Sequence, residues 1–197
     1  MVAVTITGDA LWDRIERAVE KVKVRLHLAT SILSAAGIDY AVIGGNAVQM
    51  WVAQVDEAAV RNTRDVDLLL NRSDLPQATE VMRQNGFHYR HARGVDMFLD
   101  GPEASARDAV HVIFAEEKVK PLDLVPTPAI SEVVMIHNTR VVSLPALVRM
   151  KLTAFRDKDR THLRDLLELG LIDASWLDQI PEPLRPRLQE LIETPEG

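Results

Sequence analysis

The sequence predicts an α+β chain: a small mixed β-sheet flanked by helices, with a helical C-terminal portion. Two observations lead there. Between residues 40 and 114, short runs of valine, isoleucine and leucine alternate with segments of helical period. From Ser143 onward the helical period takes over. At 197 residues with 47% hydrophobic content, the chain can bury a substantial core. The change of pattern suggests an α/β unit over 1–140 and a helical region over 141–197 that closes a cleft.

The first element is a helix over about 11–35. Leu11, Ile15, Val19, Val22, Leu26, Ala29 and Leu33 recur at three- and four-residue steps, and Gly37 stops the run. "IDYAVIGG" reads as a buried strand ending in glycine, "NAVQMWVAQVDEA" as a helix, and "RDVDLLL" as a strand. "SDLPQATEVMRQNG" is a helix with Ser73 or Asp74 as N-cap, Pro76 in its first turn and Gly86 past its end. "FHYRHAR" and "VDMFL" are strands around Gly94, and "AVHVIFA" is another. Residues 101–108 read as a turn, and 116–140 as loop with one short strand at "EVVMIH". "SLPALVRMKLTAFRDKDRTHLRDLLELG" is helical, with a serine cap, a break near Asp157 or Asp159, and Gly170 as its stop. "PEPLRPRLQELIE" is a last amphipathic helix.

Composition narrows the function classes. There is no cysteine, so disulfides and thiolate metal sites are excluded. No apolar stretch approaches the roughly 18–20 residues of a membrane span. The N-terminus has no basic segment followed by a long apolar block, which argues against a secretory signal. A cytoplasmic location is the expectation. The net charge of −6 argues against indiscriminate binding to DNA backbone, though not against a local basic site.

The chemistry is concentrated between residues 40 and 70. Asp65 and Asp67 stand two apart in an apolar strand, so their side chains share a face. Two such carboxylates repel, and a hard divalent cation, Mg²⁺ or Mn²⁺, removes the repulsion. Gly44 and Gly45 join a strand to a helix, bringing backbone N–H groups and a helix N-terminus together, which favours phosphate. Asn46 at the helix start can cap it or donate to a phosphate oxygen. Arg61, Thr63 and Arg64 add donors just before the acidic strand.

Glycine pair, helix and Asp-x-Asp strand together resemble the nucleotidyltransferase superfamily of the DNA polymerase β type. "RNTRDVDLLL" is more similar to the branch typified by the AbiEii toxin of type IV toxin–antitoxin systems, with Arg61, Thr63, Asp65 and Asp67 matching its Arg-x-Thr-x-Asp-x-Asp-like segment. The C-terminal helices are similar too, and the resemblance places Lys151, Arg164 and Asp165 along the cleft. It implies a metal-dependent transfer of a nucleoside monophosphate from NTP. Asp65 and Asp67 would hold the metal, Gly44, Gly45 and Asn46 would cradle phosphates, and Lys151 would offset charge from the other side. The acceptor could be an RNA or tRNA 3′ end, a small hydroxyl compound or a protein, with a cognate antitoxin or toxin as partner.

Two departures from that pattern stand out. The small hydroxyl residue after the glycines is Asn46, and the third carboxylate of the family aligns with His111. In another register Asp108, Glu116 or Glu117 supplies that carboxylate. An imidazole carries no negative charge for Mg²⁺, but it can serve as a general base. The alternative is therefore a catalytically degenerate member: a nucleotide sensor, a partner-binding protein or a neutralising antitoxin. Finally, residues 149–164 hold six basic side chains against Asp157 and Asp159, a patch read as contacting triphosphate or RNA backbone.

Overall fold

This is a computed structural model, and it describes residues 9–101, 104 and 108–196. Residues 1–8 and most of the expected turn over 101–108 lie outside the described residues. A seven-stranded mixed sheet forms the centre, in the order β3-β4-β5-β2-β1-β7-β6. Its strands are β1 (Tyr40–Ile43), β2 (Val66–Leu70), β3 (Phe87–Ala92), β4 (Val95–Asp100), β5 (Ala109–Phe114), β6 (Val133–Ile136) and β7 (Thr139–Val142). β2 runs parallel to β5 and antiparallel to β1, while β1 and β7 are parallel.

The helices form two layers. α1 (Asp9–Ala35) and α3 (Leu75–Gln84) contact each other and the sheet. α2 (Gly44–Val52) covers β1, β2 and β7 and is backed by α4 (Leu144–Ala154) and α5 (Asp157–Glu168). α6 (Arg185–Glu193) packs on α5. One hydrophobic core unites the central strands with α4, α5 and α6, through buried residues such as Val42, Leu68, Leu147, Leu163 and Leu188.

Several expectations need correction. The apolar stripe of α1 divides: Leu26, Ala29 and Leu33 are buried, whereas Leu11, Ile15 and Val19 stay about two-fifths exposed (43%, 42% and 39%). Periodicity reveals a helix face, not how far the sheet extends beneath it. Strand β7, which starts at the end of the expected 116–140 loop and runs on to Val142, was not expected. It completes a hairpin with β6 through His137 and Asn138, both at positive φ (45° and 61°), the geometry of a two-residue primed turn. "His-Asn" is a weaker turn signal than Asn-Gly, so the hairpin was hard to see in the sequence. α2 begins at Gly44 rather than Asn46. Neither Asp74 nor Ser143 caps its helix through its side chain. Asp74 instead accepts from Asn71 and Ser73 in the short turn ahead of α3.

The α4–α5 break falls at Phe155, a non-glycine residue in the left-handed region (φ 49°, ψ 32°). Arg160 and Arg187 lie over its ring at 4.4 and 5.0 Å from the centroid. Cation–π contact on the ring helps hold a backbone conformation that costs a non-glycine residue energy. The break redirects the chain so that the first turn of α5 borders the same cavity as the end of α4.

Candidate active site

A cavity of about 560 Å³ opens where β1, β2 and β5 meet α4 and the start of α5. Gly44, Asp65, Asp67, His111, Lys151, Arg156, Lys158 and Asp159 all line it. No helix among the described residues is long and apolar enough to cross a membrane.

The glycine pair is fixed by close approach. Ile43 pairs with Asp67 across β1 and β2, so Gly44 follows immediately beside that carboxylate. Gly44 sits at φ +68°, and a Cβ there would lie 2.2 Å from Asp67 Oδ2. A Cβ on Gly45 would lie 2.6 Å from Thr63 Oγ1. Any side chain at either position collides with the acidic strand or the segment leading to it. The N-cap position of α2, Ile43, provides no side-chain acceptor, so that helix start has no side-chain cap.

Asn46 is buried and does not line the cavity. Its Nδ2 donates to the backbone carbonyl of Asp65 at 2.7 Å, which holds the acidic segment against α2. Asp65 itself lies one residue before β2, while Asp67 lies within it. Lys158 Nζ stands 3.8 Å from Asp65 Oδ2. His111 is opposite Asp67 in the β2–β5 register, with Nδ1 3.3 Å from Asp67 Oδ1.

The other three carboxylates considered for that position lie elsewhere. Asp108 is within 3.7 Å of Arg25 of α1, Glu117 forms a bidentate pair with Arg72, and Glu116 lies in the turn after β5. Among the described residues no group of three or more His, Asp or Glu side chains converges as a metal site. Asp65 and Asp67 do fit a cation that takes only one or two protein carboxylates and completes its shell from phosphate and water, the habit of Mg²⁺.

Lys151 borders the cavity but is not a free ammonium. It is 4% exposed and donates to Asp159 Oδ1 at 2.9 Å. Burial pulls its pKa below the usual lysine range, against the opposing pull of Asp159 and Asp67. Asp159, 1% exposed, also accepts from Arg156 Nε at 2.7 Å. Burial alone would raise the Asp159 carboxyl, yet Arg156 and Lys151 hold it below the usual carboxylate range. Sequence reasoning missed Asp159 because an aspartate in the first turn of a helix ordinarily reads as a dipole or capping residue, and here it is that as well.

The remaining predicted residues divide. Arg61 and Asp165 meet each other, Nε to Oδ2 at 2.7 Å and Nη2 to Oδ1 at 3.0 Å, tying the loop before β2 to α5 without lining the cavity. Thr63 lies over Gly45, while Arg64 is exposed and does not border the cavity. Arg164 donates to the carbonyl of Thr194 at 3.1 Å, on the α6 side. Nor do the six cations of 149–164 form one face: Arg149 pairs with Glu132 and Arg160 with Glu190.

A second polar group edges the cavity from the β3–β4 hairpin. Asp96 is 7% exposed, and its Oδ1 accepts from Tyr89 Oη at 2.5 Å and bonds His91 Nδ1 at 2.9 Å. Burial opposes ionisation there, but Tyr89 and His91 hold the Asp96 carboxyl below its ordinary range. His91, an exposed residue of β3, borders the cavity as well.

No protein-family model matches the chain, and no curated protein sequence does either. Solved structures do. The chain is similar to ANT(2″)-Ia in complex with adenylyl-2″-tobramycin, at 14% identity and a TM-score of 0.55, over 87% of this chain and 98% of that one. It is similar to an antigenic nucleotidyltransferase-like protein from Paracoccidioides brasiliensis, at 20% identity and a TM-score of 0.55, over 89% and 88%. The chain has a nucleotidyltransferase-type fold. The Megavirus polyadenylate synthase is also similar, at 9% identity and a TM-score of 0.50, with the match spanning 88% of this chain and 40% of that one. Within this nucleotidyltransferase-type fold, Asp65 and Asp67 lie just before and within β2, and the glycine pair opens α2 directly after the neighbouring strand β1.

Proposed function

We propose that the protein is a nucleotidyltransferase that moves a nucleoside monophosphate from NTP to a hydroxyl acceptor. One observation carries this reading: Asp65 and Asp67 border one cavity beside a glycine pair that has no room for side chains against Asp67 and Thr63. A structural ion pair would not need that close approach.

The roles follow from placement. The N-terminus of α2 and the backbone at Gly44 and Gly45 receive phosphate oxygens. Lys151, Arg156 and Lys158 offset the charge of the triphosphate from the α4–α5 side. Asp65 and Asp67 would hold Mg²⁺ or Mn²⁺, which when bound neutralises charge on the triphosphate. The acceptor oxygen attacks the α-phosphorus, the bond to the β-phosphate oxygen breaks, and pyrophosphate leaves. The acceptor proton passes to the His111 imidazole or to water. By the Arg61, Thr63, Asp65, Asp67 match to the AbiEii-like branch, the favoured acceptor is an RNA or tRNA 3′ end, and a cognate antitoxin is the expected partner. The region over 141–197 contributes the cations that close the cleft.

A second reading rests on one residue. His111, with no negative charge, stands where the branch has a carboxylate, which favours a nucleotide-binding protein without transfer activity. Incubation with each labelled NTP, Mg²⁺ or Mn²⁺, and total RNA separates the two. Transfer that is abolished by Asp65→Ala with Asp67→Ala supports the enzyme; nucleotide binding without transfer supports the second reading.

A further inference from the structure

Six cationic side chains border the cavity, and four of them already have carboxylate partners: Arg72 with Glu117, Lys151 and Arg156 with Asp159, and Lys158 with Asp65. The other two are Lys118 and Lys120, exposed on the loop after β5, and neither has a side-chain partner among the described residues. They are two apart, as Asp65 and Asp67 are, with Val119 between them also on the cavity rim.

The loop that carries them has a stitched neck. Thr127 Oγ1 donates to the Phe114 carbonyl at 2.5 Å and its N–H donates to the Glu117 carbonyl at 2.9 Å, while Glu117 N–H donates back to Thr127 Oγ1 at 3.1 Å. The Glu117 carboxylate is gripped by Arg72, whose guanidinium lies 3.8 Å from the centre of the Phe114 ring. Between these fixed ends, Lys120 and Asp123 close a turn, with the Lys120 N–H 2.8 Å from Asp123 Oδ2 and the Asp123 N–H 3.0 Å from the Lys120 carbonyl. At its tip Leu122 is 94% exposed. A fixed neck therefore presents two unneutralised ammonium groups at the mouth of the cavity.

We propose that residues 118–126 form a phosphate-contacting lip of the cleft, in which Lys118 and Lys120 bind phosphate groups of the substrate. This rests on the nucleotidyltransferase reading. Asp159, Asp65 and Glu117 already pair with the other four cations, so among the described residues the cavity's cations without a carboxylate partner are the two on this lip. A polyanionic substrate needs such charge, and two lysines that are not already paired can supply it without first breaking a contact. Phosphate here has two sources, the NTP itself or the backbone of a nucleic-acid acceptor.

The test is a Lys118→Ala, Lys120→Ala double variant, which removes no side-chain hydrogen bond or ion pair among the described residues and should fold as the parent does. Affinity is measured for each NTP with Mg²⁺ and, in a second arm, for a single-stranded RNA of about ten nucleotides over a range of salt. The lip predicts a loss of about five- to tenfold in one arm. If the RNA arm responds, its salt dependence falls by about 0.7 of a log unit per lysine removed. A Lys21→Ala, Lys23→Ala control on α1 should leave both arms unchanged. Unchanged affinity in both arms of the lip variant, with a parent that binds, overturns the lip alone. A parent that binds neither probe overturns the nucleotidyltransferase reading and the lip with it.

Discussion

His111 stands directly opposite Asp67 across the parallel β2–β5 pair, with its Nδ1 3.3 Å from Asp67 Oδ1. A carboxylate at this register position would project beside Asp67 and border the same cavity. His111→Asp should therefore tighten divalent-cation-dependent nucleotide binding by about tenfold, because cation sites strengthen with the number of charged oxygen ligands. A Mg²⁺ titration of nucleotide affinity measures it. If His111 is instead the proton acceptor in transfer, His111→Ala lowers turnover by about a hundredfold with little change in nucleotide affinity.

Gly44 tests the geometry of the turn. A Cβ there meets Asp67 Oδ2 at 2.2 Å, on a backbone already at positive φ. Gly44→Ala should destabilise the fold by about 1–3 kcal/mol and displace Asp67. Thermal unfolding reads the first effect and loss of nucleotide binding the second. Gly37, also at positive φ but with open space around it, provides the comparison: Gly37→Ala should affect stability and leave binding intact.

These residues also show what the sequence could and could not reveal. The Asp65/Asp67 pair and the glycine turn were legible because both are local, set by strand period and by a strand-to-helix junction. The family resemblance aligned His111 with a third carboxylate, but its pairing opposite Asp67 is set by the β2–β5 register. The roles of Arg61, Asp165, Arg164 and Asn46 were not legible, because a long polar side chain near a motif can turn to any partner that tertiary packing brings within reach. Arg61 found Asp165, 104 residues away, and Asn46 found the carbonyl of Asp65. The basic run of 149–164 is divided for the same reason, with Lys151, Arg156 and Lys158 at the cavity and Arg149 and Arg160 paired elsewhere. Composition counts its charges but cannot say that Glu132, Asp159 and Glu190 neutralise them. The β6–β7 hairpin escaped because its turn lacks glycine.

The buried group around Asp159 predicts an asymmetry. Asp159→Asn leaves Lys151 and Arg156 without their shared carboxylate and should cost about 3–5 kcal/mol in urea unfolding. Replacing both buried partners, Asp159→Leu with Lys151→Met, removes the uncompensated charge and should recover most of that loss. Equal destabilisation of the single and double variants would show that the carboxylate is not acting as a counter-ion to Lys151.

His162 gives the fold a specific response to acid. Burial first, and then repulsion from Lys151, lowers its pKa from 6.5 to about 4, and its Nδ1 has no hydrogen-bond partner among the described residues. In the unfolded chain the imidazole takes up its proton near the ordinary value of about 6.5. Between these limits the unfolded state binds more protons than the folded state, so unfolding free energy falls as pH drops from about 6.5 towards 4. Above about 6.5 neither state is protonated at this site and the contribution is fully present. Partial exposure reduces the expected loss to about 1–2 kcal/mol. Asp96 and Asp159, whose pKa values are lowered from 3.8, lose their stabilisation only at lower pH, so the window above about 4.5 separates His162 from them. Urea midpoints taken at about pH 7, 5.5 and 4.5 should fall for the parent and stay nearly flat for His162→Gln, which keeps polarity but does not titrate. A parent slope that survives in His162→Gln would assign the acid response to another group.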